Sequence, residues 1–175
     1  HVLCERDEVD GGTRVSLSHD GYMTSHGLSH RRTLHLGYDG RTLRGEDVLV
    51  SEEGPERKRF DLAFDRSKLK GFPFAVRFHL HPDVDATLDM NGTAVAMALK
   101  SGEIWIFRFR GDATLSLESS VYLEKSRLSP RATKQVVLSG TAMEYSTRVS
   151  WSLAKAQETP SAVRDYAMDG VLAVN

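Results

Sequence analysis

The sequence predicts an all-β protein, an antiparallel β-sandwich that ends in a short helix or an irregular tail. Three observations carry that prediction. Short runs alternating apolar with polar residues recur at the roughly 8 to 12 residue spacing of sandwich strands. The turn dipeptides Asp39-Gly40, Asn91-Gly92 and Ser101-Gly102 punctuate them. Before the tail, no stretch keeps a helical period long enough for a helix of ordinary length.

In chain order, Thr13 to His19 sets Val15, Leu17 and His19 against Arg14, Ser16 and Ser18. Ser29 to Leu36 puts Leu34 and Leu36 on one face, and Asp39-Gly40 supplies the positive φ angles of a hairpin turn before Thr42 to Val50. Ser51 to Lys70 carries too much mixed charge for a core strand and reads as a solvated excursion with a helical turn. Phe74, Val76, Phe78 and Leu80 then alternate with Ala75, Arg77, His79 and His81, an amphipathic strand. Thr93 to Leu99 follows, then Glu103 to Arg110, where Trp105, Phe107 and Phe109 oppose Ile104 and Ile106 as in a strand covered on both faces. Further runs are Thr114 to Glu118, Val121 to Glu124, Ala132 to Leu138 and Ser146 to Leu153. The sandwich is thus expected over residues 1–153, followed by a tail over 154–175 with helical character around Ala162 to Met168.

A chain of 175 residues can bury roughly 70% of its unfolded surface in one core. With 23 Lys and Arg against 24 Asp and Glu, no broad field draws in nucleic acid or an anionic membrane, so an anionic ligand needs a local patch. No apolar run reaches the length of a membrane span. Cys4 has no partner for an intramolecular disulfide and reads as an inert strand residue. The chain opens on His1, inside a strand pattern and without an initiator Met, and therefore reads as the C-terminal part of a longer protein.

All seven histidines lie at or before His81, so the front half is expected to build any polar working face. Period 2 places Arg77, His79 and His81 on one side of their strand about 7 Å apart, where two imidazoles could share a metal or line a groove. Gly71, His79, His81, Asp85 and Gly92 loosely resemble the cupin metal motif, with a longer first gap, Asp85 in place of a Glu and no second motif. The other cluster is His19-Asp20-Gly21-Tyr22, His26 and His30-Arg31-Arg32. It suits an anionic sugar, since guanidinium groups grip carboxylate or sulfate in bidentate fashion. The same residues also allow a purely structural reading, with a turn at Asp20-Gly21 and a packed Tyr22 ring. Arg31 and Arg32 point to opposite faces, so one at most meets a given ligand. Glu46 and Asp47 also face opposite ways, which makes them a poor acid and base pair and leaves Asp47 as a turn or network residue. Nucleophile-elbow, Walker, dinucleotide and zinc-finger signatures are absent.

In order on an all-β chain, His19-Asp20-Gly21-Tyr22, His30-Arg31-Arg32-x-Leu34, Gly45-Glu46-Asp47 and Val76-Arg77-Phe78-His79-Leu80-His81-Pro82 resemble the C-terminal sandwich of the heparinase II/III-like proteins. The resemblance spans Val2 to Leu153. It implies an α/α toroid upstream in the same chain and a bacterial periplasmic or envelope setting. It further implies a parent polysaccharide lyase, a carbon-oxygen lyase that cleaves uronate-containing acidic polysaccharides by β-elimination. In that family the catalytic tyrosine comes mainly from the toroid, and the strand-borne histidine and metal ligands come from early strands expected before His1. No catalytic residue or metal ligand is therefore carried onto this sequence, and a divalent metal is left open for the parent. The expected role of these residues is support and one wall of the cleft, with Tyr22, His30, Arg31 and Arg32 as first candidates and His79 and His81 as second. The alternative is a non-catalytic carbohydrate-binding or structural sandwich. Phe74, Val76, Phe78, Leu80, Trp105, Phe107 and Phe109 are expected in the core.

Overall fold

The computed structural model describes residues 1–125 and 129–156. Its strands are β1 (Val2–Val9), β2 (Gly12–Tyr22), β3 (Leu28–Gly37), β4 (Thr42–Val50), β5 (Phe72–His79), β6 (Asp85–Asp89), β7 (Ala94–Ala98), β8 (Ile104–Gly111), β9 (Thr114–Tyr122), β10 (Arg131–Ala142) and β11 (Ser146–Lys155). Two α-helices interrupt them, the single turn α1 (Met23–His26) and α2 (Pro55–Arg66), and a 3-10 turn (Met90–Gly92) joins β6 to β7. The strands form two antiparallel layers, an eight-stranded sheet in the order β1-β2-β3-β4-β11-β8-β7-β6 and a three-stranded sheet in the order β5-β10-β9. This is the sandwich that the alternating runs predict.

The period-2 pattern decides which side chains meet between the layers. Val149, Trp151 and Leu153 of β11 project inward beside Phe107 of β8 and Leu43 of β4, against Val76 and Phe78 of β5 and Val136 and Leu138 of β10. Phe78 meets the Trp151 indole edge-on at 4.7 Å between ring centres, and Phe107 stacks on it at 6.1 Å. Val76 and Phe107 are buried, while Phe74, Phe78, Leu80, Trp105 and Phe109 pack against the same cluster partly buried. Burial of each large side chain contributes about 1.5 to 3 kcal/mol.

Gly45 pairs with Trp151, and a Cβ built on it would lie 2.2 Å from the indole, so the seating of the Trp151 ring over β4 depends on a residue without a side chain. Three strands cannot cover eight. β1, at the outer edge of the large sheet, is exposed along almost its whole length, and its Glu5, Arg6, Asp7 and Glu8 guard that edge with charge.

Where the sequence reading expected a solvated excursion with one helical turn, α2 runs for 12 residues. Pro55 occupies its first turn, the position where a missing N–H costs nothing. Phe60 and Ala63 turn inward and build a second small core with Leu28, Phe72 and Ala142. Gly27, with φ +65°, closes α1 so tightly on α2 that a Cβ would lie 2.5 Å from the backbone of Glu56 and of Phe60. The charged segment is thus a prop beneath the start of β3.

Several boundaries also differ from the sequence reading. Asp20 and Gly21 belong to β2, where a register irregularity between His19 and Tyr22 interrupts the pairing, and form no turn. Thr114 to Glu118 and Val121 to Glu124 are largely one strand, β9, which stops at Tyr122. β5 stops at His79, so His81 lies in the following loop. β11 continues to Lys155, two residues past the expected end of the sandwich. The helical stretch expected at Ala162 to Met168 lies outside the described residues.

Candidate functional site

At the rim where β5 forms the edge of the small sheet, the layers part into a cleft of about 310 Å³. That volume is at the low end of the roughly 300 to 1,000 Å³ of small-molecule pockets. Tyr22, His26, His30, Arg32 and Asp47 supply its polar side, and Leu28, Leu49, Phe72, Pro73 and Phe74 much of its apolar side.

The irregularity in β2 sets Tyr22 opposite Leu28, which brings its ring 5.2 Å from the ring of His19. His19 pairs across the strands with His30, and Arg32 with Asp47. His30 therefore reaches Asp47 on the diagonal, within the range of a long side chain.

Asp47 is the hub. Buried on the inner face of β4 at 5% exposure, its Oδ1 accepts hydrogen bonds from His30 Nε2 at 2.8 Å and Arg32 Nε at 2.7 Å. Its Oδ2 accepts from Trp151 Nε1 at 2.9 Å. Burial works to raise the carboxyl's proton affinity, but the bonds from His30, Arg32 and Trp151 outweigh it and hold the group below its ordinary value of 3.8.

The hydrogen bonds fix a direction. The Gly21 N–H can only donate, and it donates to His19 Nδ1 at 3.1 Å. In the neutral network, His19 must then carry its proton on Nε2 and donate it to His30 Nδ1 at 3.2 Å. His30 in turn carries its proton on Nε2 and gives that bond to Asp47. Both nitrogens of both rings are consumed. Neither His19 nor His30 retains a lone pair to deprotonate a substrate or ligate a metal, and the Asp47 carboxylate already faces the Arg32 guanidinium as its cation. These residues do not fit a metal centre. Among the described residues no group of three or more His, Cys, Asp or Glu is arranged to hold one.

Arg32 commits only its Nε to Asp47, and its remaining donors make no bond to a described residue. The guanidinium lies 6.0 Å from the centre of the Phe78 ring and is 31% exposed where it lines the cleft. His26 shares a 2.7 Å hydrogen bond with Ser25 through Nδ1 and sets its ring edge-on to Phe72 at 4.8 Å. The cleft thus offers one guanidinium, one phenol and one uncommitted imidazole nitrogen among aromatic faces, the lining expected of a site for a small anionic and partly apolar ligand.

The structure brings Tyr22, His30 and Arg32 to this cleft and leaves the other three candidates elsewhere. Arg31 turns to the outer face and pairs with Glu52. His79 Nδ1 bonds Ser120 Oγ at 2.8 Å on the outside of the small sheet. His81 Nδ1 accepts the Asp83 backbone N–H, and its ring meets Tyr122. Sequence reasoning did not find Trp151 as the third partner of Asp47. The available signal was Asp47 itself, a carboxylate on the same strand face as Leu43 and Leu49, where burial demands partners.

The His19–His30–Asp47 hydrogen-bond network has a pH signature. Burial first, and the neighbouring His30 second, hold His19 below its ordinary value of 6.5. The unfolded chain therefore takes up a proton at His19 before the folded protein does. The resulting stabilisation is complete above about pH 6.5 and is lost as pH falls through the lower folded value. Urea unfolding at pH 7.5 and pH 5.5 is expected to show a larger loss on acidification for the parent than for His19→Gln. Equal losses in the two proteins would break the assignment.

Residues 1–152 match the family described as heparinase II/III-like, C-terminal. FtsZ-localized protein C of Caulobacter vibrioides is 32% identical over 161 residues, which are 89% of this chain and 26% of that protein. Among solved structures, heparan sulfate lyase HepC of Pedobacter heparinus superposes with a TM-score of 0.65 at 9% identity, covering 91% of this chain and 22% of that one. A heparinase III superposes at 0.59 with 12% identity over 88% of this chain and 21% of its own. The chain spans about a quarter of the length of these proteins, and the solved structures share its fold. With the family match extending over nearly all of the described sandwich, the chain belongs to the heparinase II/III-like family, as its C-terminal β-sandwich domain.

Proposed function

We propose that this sandwich is a non-catalytic wall of the substrate cleft in a polysaccharide lyase acting on uronate-containing acidic chains. The observation that carries the reading is the Arg32 guanidinium, oriented by buried Asp47 and keeping donors for a carboxylate or sulfate inside an aromatic-lined cleft. Asp47 and the two imidazoles serve as its scaffold, since their hydrogen-bonding capacity is spent. In β-elimination a base removes the proton beside the uronate carboxylate, a positive group neutralises that carboxylate, and an acid serves the leaving oxygen. Arg32 is suited to a binding role, holding a carboxylate or sulfate of the chain against the wall. The base and acid are assigned to the parent's upstream α/α toroid, and a periplasmic or envelope location goes with that assignment.

The full-length protein, incubated with heparan sulfate, alginate and related polyuronates, is expected to produce unsaturated uronate ends absorbing in the ultraviolet. Arg32→Ala is expected to lower turnover by about tenfold or more, the worth of one charge-assisted contact. No product on any acidic polysaccharide would overturn the lyase assignment, and full turnover with Arg32→Ala would remove Arg32 from the cleft.

One observation favours a second reading. The 32% relative carries FtsZ localisation in its name, whereas the lyases share 7 to 12% identity with this chain. A binding module in a division-associated protein is the corresponding proposal. Co-sedimentation with FtsZ polymers, without any lyase product, is its expected result.

A further inference from the structure

The cleft lies on the inner face of the large sheet, and the outer face of the same strands carries a second polar concavity. The register aligns His35, Arg44, Ser152 and Arg108 across β3, β4, β11 and β8, and in the next row Thr33, Glu46, Ser150 and Arg110. Here β11 presents only the short side chains of Ser150 and Ser152, with long ones on both sides. The result is a trough of about 640 Å³ floored by hydroxyl groups and walled by guanidinium groups. Arg44 and Arg108 stand two strand spacings apart, about 9.6 Å.

The charge is one-sided. The single carboxylate lining the trough, Glu46, is engaged by Arg148 at 3.2 Å and by Ser150 at 3.4 Å. Arg44 and Arg110 form no ion pair among the described residues. Elsewhere in the molecule Arg14, Arg31, Arg32, Arg77 and Arg131 each face a carboxylate. A protein of net charge −1 thus sets the guanidinium groups of Arg44 and Arg110, neither paired with a described residue, beside that of Arg108 in a recess whose one lining carboxylate is engaged. An anion there relieves their mutual repulsion.

We propose that this trough is a second carbohydrate site, which holds an acidic oligosaccharide across Arg44, Arg108 and Arg110 on the face opposite the cleft. Three features select a sugar chain. Serine and threonine hydroxyls both donate and accept, as sugar hydroxyls require. Guanidinium groups on both walls match anionic substituents that recur along a glycan. The two rings that reach the trough, Phe109 and Trp151, pack into the core, so none stands free for base stacking or membrane insertion. This site shares a ligand class with the cleft but no residue, and the two are separable by mutation.

The test is calorimetric titration of the full-length protein with a size-defined heparin oligosaccharide and, separately, a polygalacturonate oligomer. Arg44→Gln/Arg110→Gln, two exposed side chains without an ion-pair partner among the described residues, is expected to weaken binding of at least one probe by about tenfold or more. That loss is expected to persist in an Arg32→Ala background, where the cleft contribution is gone. Arg59→Gln/Lys70→Gln, an equal charge change away from the trough, is expected to bind as the parent does. Unchanged affinity in Arg44→Gln/Arg110→Gln, or an equal loss in Arg59→Gln/Lys70→Gln, would overturn the proposal. So would trough-dependent binding of phosphatidylglycerol vesicles or single-stranded DNA without binding of either sugar. An inert Arg32→Ala would count against the cleft reading alone.

Discussion

Asp47→Ala is expected to remove about 3 to 5 kcal/mol of folding stability, the range seen when one partner of a buried charged network is deleted. The carboxylate satisfies three donors from the two neighbouring strands, His30 and Arg32 on β3 and Trp151 on β11. Without it the Arg32 charge loses its counterion and the indole N–H is left buried and unpaired, each a penalty in its own right. Asp47→Asn keeps the shape and part of the hydrogen bonding but not the charge, and is expected to fall between. Urea denaturation followed by circular dichroism reads both. A loss below about 1 kcal/mol for Asp47→Ala would show that the hub is not structural.

Trp151→Ala is expected to be of similar size, about 3 to 5 kcal/mol for the lost ring and the space it leaves. The indole packs against Phe78 and Phe107, and its N–H holds Asp47. A companion measurement isolates the contact with Gly45. Gly45→Ala places a methyl group 2.2 Å from the ring, and because that ring is held by the core on one side and by Asp47 at its N–H, it cannot swing away cheaply. A cost of about 1 to 3 kcal/mol is expected. In a Trp151→Ala background the added methyl meets open space, so the double-mutant cycle is expected to show strong coupling. Simple additivity of the two substitutions would contradict the geometry.

The strands were legible because their chemistry is local. Alternation along Phe74 to Leu80 and Ser146 to Leu153 announces one buried and one solvated face, and the Asp39-Gly40 and Asn91-Gly92 turns announce the reversals between strands. α2 was harder to see because its charged residues surround a short apolar stripe of Phe60, Ala63 and Phe64, and exposed Leu62 blurs the period. Pro55 in its first turn was the signal that marked its start. Within the cleft, Tyr22, His30 and Arg32 were readable as residue types suited to an anion. Their convergence was not, because it depends on the irregularity in β2 and on the β3 to β4 register, which are relations between strands. Arg31 and Arg32 are chemically identical neighbours, and only the position of Asp47 across the sheet determines which one enters the cleft.

On β4, Glu46 faces the outer trough and Asp47 the inner cleft, so a single peptide unit separates two chemistries. A slip of one residue would exchange them, burying Glu46 where the indole and guanidinium wait and sending Asp47 out among the arginines. Frame, more than composition, is therefore what this strand must preserve. Beyond Gly45 and Asp47, whose side chains are themselves constrained, the demand on this segment is on length, and a one-residue insertion between Leu43 and Leu49 would erase both surfaces at once.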